Sequence, residues 1–138
     1  MHHRLLPVLA ATAALALPAS AAQAAQPKAG YYEGSGVFFK IAKFSDKAQL
    51  FRLSLSEPLT CADGSTIQDT LDTILIMGPK VNRYGRFRYE KPGSTLFKGR
   101  FVTRTQATGK LTRTVGDCTA SISWTANLKT GGIPIPTA

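Results

Sequence analysis

Apolar and polar residues alternate with a period of two along most of this chain. The apolar positions of the clearest series are Val37, Phe39 and Ile41; Phe51, Leu53 and Leu55; Phe87 and Tyr89; Phe97 and Phe101; and Ile122, Trp124 and Ala126. Such alternation gives each segment one apolar and one polar face, which is typical of half-buried antiparallel strands. No stretch of ten or more residues has a helical period. The pattern therefore predicts an all-β protein.

Turn residues separate these alternating segments. Pro92-Gly93 suits the centre of a type II turn, because proline fixes φ and glycine accepts a positive φ. Residues 74–77 are continuously apolar, and we expect a central strand covered on both sides there. About seven strands with closely spaced turns indicate a small antiparallel β-sandwich or barrel.

The first 24 residues read as a secretory signal peptide. A short positive start precedes an apolar run at residues 5–17, and Ala22-Gln23-Ala24 fits the cleavage pattern, with Ala19-Ser20-Ala21 as a competing site. A membrane anchor is the alternative, but the run is short for a span. We expect a secreted or periplasmic protein without a transmembrane segment in its mature chain. Its parts would be a flexible N-terminus (25–30), a β-domain (31–129) and a flexible Gly/Pro tail (130–138).

Cys61 and Cys118 are the two cysteines of the chain. In an oxidising compartment two cysteines that can meet usually pair, and two cysteines allow one connectivity. In the chain-entropy model, closing so long a loop stabilises the fold by about 4 kcal/mol. A redox-active pair would more often have C-x-x-C spacing, so a structural disulfide is the prediction.

The mature chain would contain no histidine, because His2 and His3 both lie in the signal segment. Ser-His-Asp and Cys-His nucleophiles are therefore excluded. We expect no catalytic residue, no metal and no cofactor. The remaining enzymatic alternative is a two-carboxylate hydrolase. The acids considered for it are Glu33, Glu57, Asp63, Asp69, Asp72 and Glu90.

Three of these acids lie in one polar stretch and could in principle gather oxygen ligands for calcium, although their spacing is not that of an EF-hand. They are Asp63, Asp69 and Asp72. The favoured interpretation is a turn at Asp63-Gly64 and solvent-exposed loop positions at Asp69 and Asp72.

Positive charge is concentrated in about a quarter of the chain. The net charge is +9, and ten basic residues against the single acid Glu90 lie between positions 80 and 113. They are Lys80, Arg83, Arg86, Arg88, Lys91, Lys98, Arg100, Arg104, Lys110 and Arg113.

Alternation places several of these cations on one sheet face. If Pro92-Gly93 joins two strands as a hairpin, Arg86, Arg88, Lys98 and Arg100 lie together, opposite the apolar positions of the same strands. We expect Arg104 to extend this surface.

An anionic polymer or envelope surface would relieve the repulsion among these cations. A merely solvated outer face is the simpler alternative. Nucleic acid is unsupported, because the aromatic residues of these strands lie on the opposite face. A secreted inhibitor or another protein-partner module is the second functional hypothesis.

Turn glycines, core aromatics and cysteines also carry a family resemblance. The motifs are Cys61-Ala62-Asp63-Gly64, Gly85-Arg86-Phe87, Phe97-Lys98-Gly99-Arg100-Phe101, Ala107-Thr108-Gly109-Lys110-Leu111, Cys118 and Ser123-Trp124-Thr125-Ala126. Together they resemble small secreted bacterial β-domains of unknown function that pair a mid-chain cysteine with one before a terminal W-x-A strand. The resemblance covers residues 34–128 and implies this fold and export. It implies no catalytic residue.

Overall fold

The alternating segments form antiparallel β-strands in the computed structural model, which describes residues 26–129. The strands are β1 (Gly30–Gly34), β2 (Val37–Phe44), β3 (Lys47–Cys61), β4 (Thr66–Ile74), β5 (Arg86–Lys91), β6 (Thr95–Thr103), β7 (Gln106–Val115) and β8 (Cys118–Leu128). The predicted all-β class is confirmed, with eight strands and no helix in the described part of the chain. The signal peptide (1–24) and the tail (130–138) predicted from the sequence lie outside the described residues.

One sheet contains all eight strands, in the order β4-β3-β2-β1-β8-β7-β6-β5. Every neighbouring pair is antiparallel, so tight hairpins suffice for most connections. The end of the long strand β3 also pairs with the start of β8, which closes the sheet into a small barrel. Closure removes sheet edges around the core and leaves β4 and β5 as the two end strands.

An aromatic cluster fills the space enclosed by the strands. Phe39 of β2 lies at its centre, with its ring centroid 5.6 Å from those of both Phe87 and Trp124. Phe97 stacks on Trp124 at 4.9 Å. These side chains are buried, as the alternation predicts for the apolar face of each strand. Each such aromatic pair contributes about 0.5–1.5 kcal/mol beyond simple burial.

The predicted disulfide is confirmed. Cys61 and Cys118 lie directly opposite each other on β3 and β8 and are covalently joined. Leu59 and Ala120 pack around them as a second, smaller apolar cluster. The bond therefore fastens the strand pairing that closes the barrel.

The expectation of a central strand at residues 74–77 is wrong. Strand β4 is an end strand that finishes at Ile74, and the next residues form a turn in which the Gly78 amide donates to the Leu75 carbonyl at 3.2 Å. Ile76 and Met77 are exposed. A continuous apolar run of four residues shows no periodicity, and without it a buried strand cannot be distinguished from an exposed turn. The apolar composition of residues 74–77 therefore led to the wrong prediction.

The segment before β1 contacts the domain at the β6–β7 turn. Pro27 is buried, and the Lys28 amide donates to the Arg104 carbonyl at 2.9 Å. The Tyr32 hydroxyl donates to the carbonyls of Lys28 and Arg104. Across residues 26–129 no helix is long and apolar enough to cross a membrane.

Candidate anion-binding groove

The turn between β5 and β6 sets the register of the basic hairpin. The Ser94 amide donates to the Lys91 carbonyl at 3.0 Å, and Gly93 has a φ of 72°. A proline followed by a glycine at positive φ, closed by this hydrogen bond, is the geometry of a type II turn. The two strands therefore form the hairpin that the sequence predicts.

The hairpin brings four predicted cations onto one face. Arg86 lies opposite Arg100, and Arg88 lies opposite Lys98. Cross-strand partners on one face have their Cβ atoms about 5 Å apart, so these like charges are close neighbours. Strand β7 adds Lys110 directly opposite Lys98. The cationic surface therefore extends over three adjacent strands.

Two glycines lie under this surface. Gly99 of β6 pairs with Gly109 of β7, and the Trp124 ring packs against both from the core side. A Cβ atom on Gly109 would lie 1.9 Å from the Lys98 carbonyl oxygen, and one on Gly99 would lie 2.6 Å from Trp124. Only glycine permits so close an approach of the backbones and the indole.

A groove of about 620 Å³ lies over these glycines. The connection between β4 and β5 contributes Pro79, Lys80 and Asn82 to its lining. Among residues 26–129, six cationic residues and no carboxylate line it. The six are Lys80, Arg86, Arg88, Lys98, Arg100 and Lys110.

One of these cations has a carboxylate partner. Arg88 pairs with Glu90 on the exposed face of β5 at 2.9 Å. Among the residues that the structure describes, the other five form no ion pair. Crowded cations without internal partners attract anions from solution.

Arg104 is not brought to this groove. Strand β6 ends at Thr103, and Arg104 lies in the turn that leads to β7. Its carbonyl is the acceptor that holds the segment before β1. The side chain is exposed at that turn, outside the groove lining.

A buried ion cluster, absent from the sequence predictions, joins β3, β4 and β7. Arg113 donates to Glu57 at 3.1 Å and to the Asp69 carboxylate at 2.6 Å. The side chain of Arg113 is 3 % exposed and that of Glu57 is 4 % exposed. Burial raises the pKa of the Glu57 carboxyl, and the Arg113 hydrogen bond opposes that rise. Alternation along β7 could have found this residue, because Arg113 shares the inward parity of Leu111.

The other acids have separate partners. Asp63 accepts hydrogen bonds from the Ser65 hydroxyl and amide, which lower its pKa, and this confirms the predicted turn. Asp72 pairs with Arg52 at 2.8 Å, and that hydrogen bond lowers the pKa of Asp72. Asp69 and Asp72 lie in β4, so the expectation of loop positions is wrong. Within residues 26–129, no three carboxylates are close enough to hold one metal ion.

Comparison with known proteins adds no relative: no family model, no curated protein and no solved structure matches this chain. The groove and its charges therefore carry the functional inference.

Proposed function

We propose that this chain is an exported, non-catalytic protein that binds an anionic polymer or surface of the cell envelope or the extracellular space. The observation that carries the proposal is the groove of about 620 Å³, which, in the described part of the chain, six cations line without any carboxylate. A solvated face would be expected to intersperse acids among its cations, as charged protein surfaces usually do. Here Glu90 offsets one cation from outside the groove.

The groove also offers a shape that suits a chain-like ligand. The backbones of Gly99 and Gly109 form its floor, and the side-chain positions of both glycines point towards Trp124 in the core. A polymer strand lying in the groove would contact the cations of β5, β6 and β7 with its negative groups. Each contact releases condensed counterions, which favours binding at low salt.

The placement of the acids supports a binding role over hydrolysis. A two-carboxylate hydrolase needs a pair of acids facing its substrate. The basic groove has none, and two further cavities, of about 500 and 200 Å³, are lined by one acid each, Glu33 and Glu90. Glu57 is buried against Arg113, where substrate has no access.

Export is proposed on three grounds. The Cys61–Cys118 disulfide is compatible with an oxidising compartment. Residues 1–24 have the charge and hydropathy pattern of a signal peptide. The resemblance to small secreted bacterial β-domains supports the same location.

A salt titration on immobilised anionic polymers tests the binding proposal. The groove variant carries four substitutions, namely Arg86→Gln, Arg88→Gln, Lys98→Gln and Arg100→Gln. The control variant removes the same charge from exposed positions outside the groove, namely Lys28→Gln, Lys43→Gln, Lys47→Gln and Lys91→Gln.

For the wild type, the logarithm of the association constant should fall linearly with the logarithm of the salt concentration. The groove variant should lose up to about four units of that slope, since each phosphate-type contact contributes about 0.9. The control should keep most of the wild-type slope. Equal slopes for the two variants would mean that net charge alone drives binding, and the protein-partner hypothesis would then replace this one.

A further inference from the structure

The turn that follows β4 exposes two large apolar side chains. Its central residues, Ile76 and Met77, are 81 % and 93 % exposed. Turn centres usually carry glycine, proline, asparagine or aspartate, for reasons of backbone geometry and hydration. An isoleucine followed by a methionine meets neither preference, so folding stability does not explain them.

This turn is fixed to the domain on both sides. The Leu75 amide donates to the Phe51 carbonyl at 2.7 Å, and the Leu50 amide donates to the Pro79 carbonyl at 2.9 Å. The Leu75 side chain packs against the core. Because both ends are held to β3, the apolar tip is presented outward and cannot fold back onto the core.

The apolar tip and the basic groove are connected through one residue. The Gln49 side chain donates to the Ile76 carbonyl at 3.3 Å, and the Gln49 backbone pairs with Lys80. Lys80 in turn lines the groove. The turn and the groove cation Lys80 are therefore neighbours on the protein surface.

Negative charge is scarce on this surface. The chain has no acidic residue between Asp72 and Glu90, and each of these two acids pairs with an arginine. The same connection carries Tyr84, with the Arg83 guanidinium 4.8 Å from the centre of its ring. Exposed tyrosine and arginine side chains are suited to a polar–apolar boundary.

We propose that the anionic partner is the surface of a lipid bilayer with acidic head groups. Ile76 and Met77 would enter the boundary between head groups and acyl chains, while the groove cations contact lipid phosphates. This inference rests on the proposed function. A soluble polyanion offers no apolar surface that the exposed Ile76-Met77 pair could contact. A second copy of this chain would bring two highly positive surfaces together, and their charges would repel each other. A bilayer matches both the apolar tip and the charge.

Tryptophan fluorescence tests the insertion. The native Trp124 is buried, so Met77→Trp adds an exposed reporter at the tip. Val115→Trp provides the control, because Val115 is a partly exposed apolar residue at the end of β7, outside the groove. The oxidised protein is mixed with phosphatidylcholine vesicles with or without phosphatidylglycerol.

Emission of the Met77→Trp variant should shift to the blue on phosphatidylglycerol vesicles and be quenched by brominated acyl chains. The Val115→Trp variant should show neither change. Absence of both signals at Met77→Trp would overturn the insertion. A blue-shifted emission before vesicles are added would also overturn it, since another protein surface would then cover the turn.

A second variant separates this inference from the proposal on which it rests. Ile76→Ser with Met77→Ser should weaken binding to phosphatidylglycerol vesicles at least about tenfold, because it removes most of the insertable apolar surface. Binding to soluble polyphosphate should stay unchanged. Unchanged vesicle binding would overturn the insertion alone. Loss of polyphosphate binding in the groove variant, relative to its control, tests the groove independently.

Discussion

Replacing Arg113 by methionine would leave a buried carboxylate without its partner. The Arg113 and Glu57 side chains are almost completely buried and lie 3.1 Å apart. Removing one member of such a pair costs about 3–5 kcal/mol, because the remaining charge is still desolvated. A domain of this size has a total stability of about 5–15 kcal/mol. We therefore expect Arg113→Met to lose a large fraction of the free energy of unfolding at neutral pH.

This loss should depend on pH in a defined direction. Burial raises the pKa of Glu57 above its ordinary value. A group with a raised folded-state pKa favours folding most below its unfolded pKa, and that contribution is lost as pH rises through the folded pKa. Removing Arg113 takes away the hydrogen bond that opposes the rise, so the pKa of Glu57 should rise further. The deficit of Arg113→Met should therefore be largest at neutral pH and shrink towards acidic pH.

Urea unfolding with the disulfide intact measures these effects. The double variant Glu57→Leu with Arg113→Met should recover most of the lost stability, because apolar replacement of a buried ion pair is often neutral or stabilising. Within the described residues, Glu57 Oε2 accepts no hydrogen bond and Arg113 Nε donates none. Replacing both side chains therefore breaks no hydrogen bond at these two buried atoms. Asp69 would stay solvated, since 39 % of its side chain is exposed. A loss below about 1 kcal/mol that does not change with pH would refute the buried pairing.

Three further outcomes are expected. Reduction of the Cys61–Cys118 disulfide should lower the free energy of unfolding by about 4 kcal/mol, measured by urea unfolding with and without reductant; an unchanged midpoint would contradict its role in closing the barrel. Gly109→Ala should destabilise the protein by about 1–3 kcal/mol or more, since the added methyl meets the backbone of β6; a change below about 0.5 kcal/mol in thermal unfolding would contradict that packing. An NMR titration should find the pKa of Asp72 below its ordinary value and Arg52→Gln should raise it; because that pKa is depressed, the pair's small contribution to stability is lost as pH falls through it.

Much of the fold follows from the alternation along the chain. The side chains of Phe87 and Phe97 point into the core, and Pro92-Gly93 closes the hairpin between their strands. Alternation and turn chemistry were therefore enough to predict that the cations of β5 and β6 share the opposite face of the hairpin. Two cysteines in one chain left a single possible disulfide, and the structure forms it.

Contacts between residues far apart in the sequence could not be predicted from local patterns. The pairing of β3 with β8 depends on how the whole sheet coils, which no local period encodes. The motif glycines Gly99 and Gly109 lie paired within strands rather than at turns, because Trp124 occupies the space of their side chains. The sequence groups Arg113 with the other basic residues between positions 80 and 113, since composition does not show that Glu57 and Asp69 lie within its reach.

An NMR titration with a short polyphosphate can locate anion binding in the groove residue by residue. Backbone amides around the groove floor, at Gly99, Thr108 and Gly109, should shift together and saturate at low salt. Amides beside the exposed lysines Lys43 and Lys47 should change little. Shifts that are equally large beside Lys43 and Lys47, or absent from the groove floor, would show that the groove is not an anion-binding site.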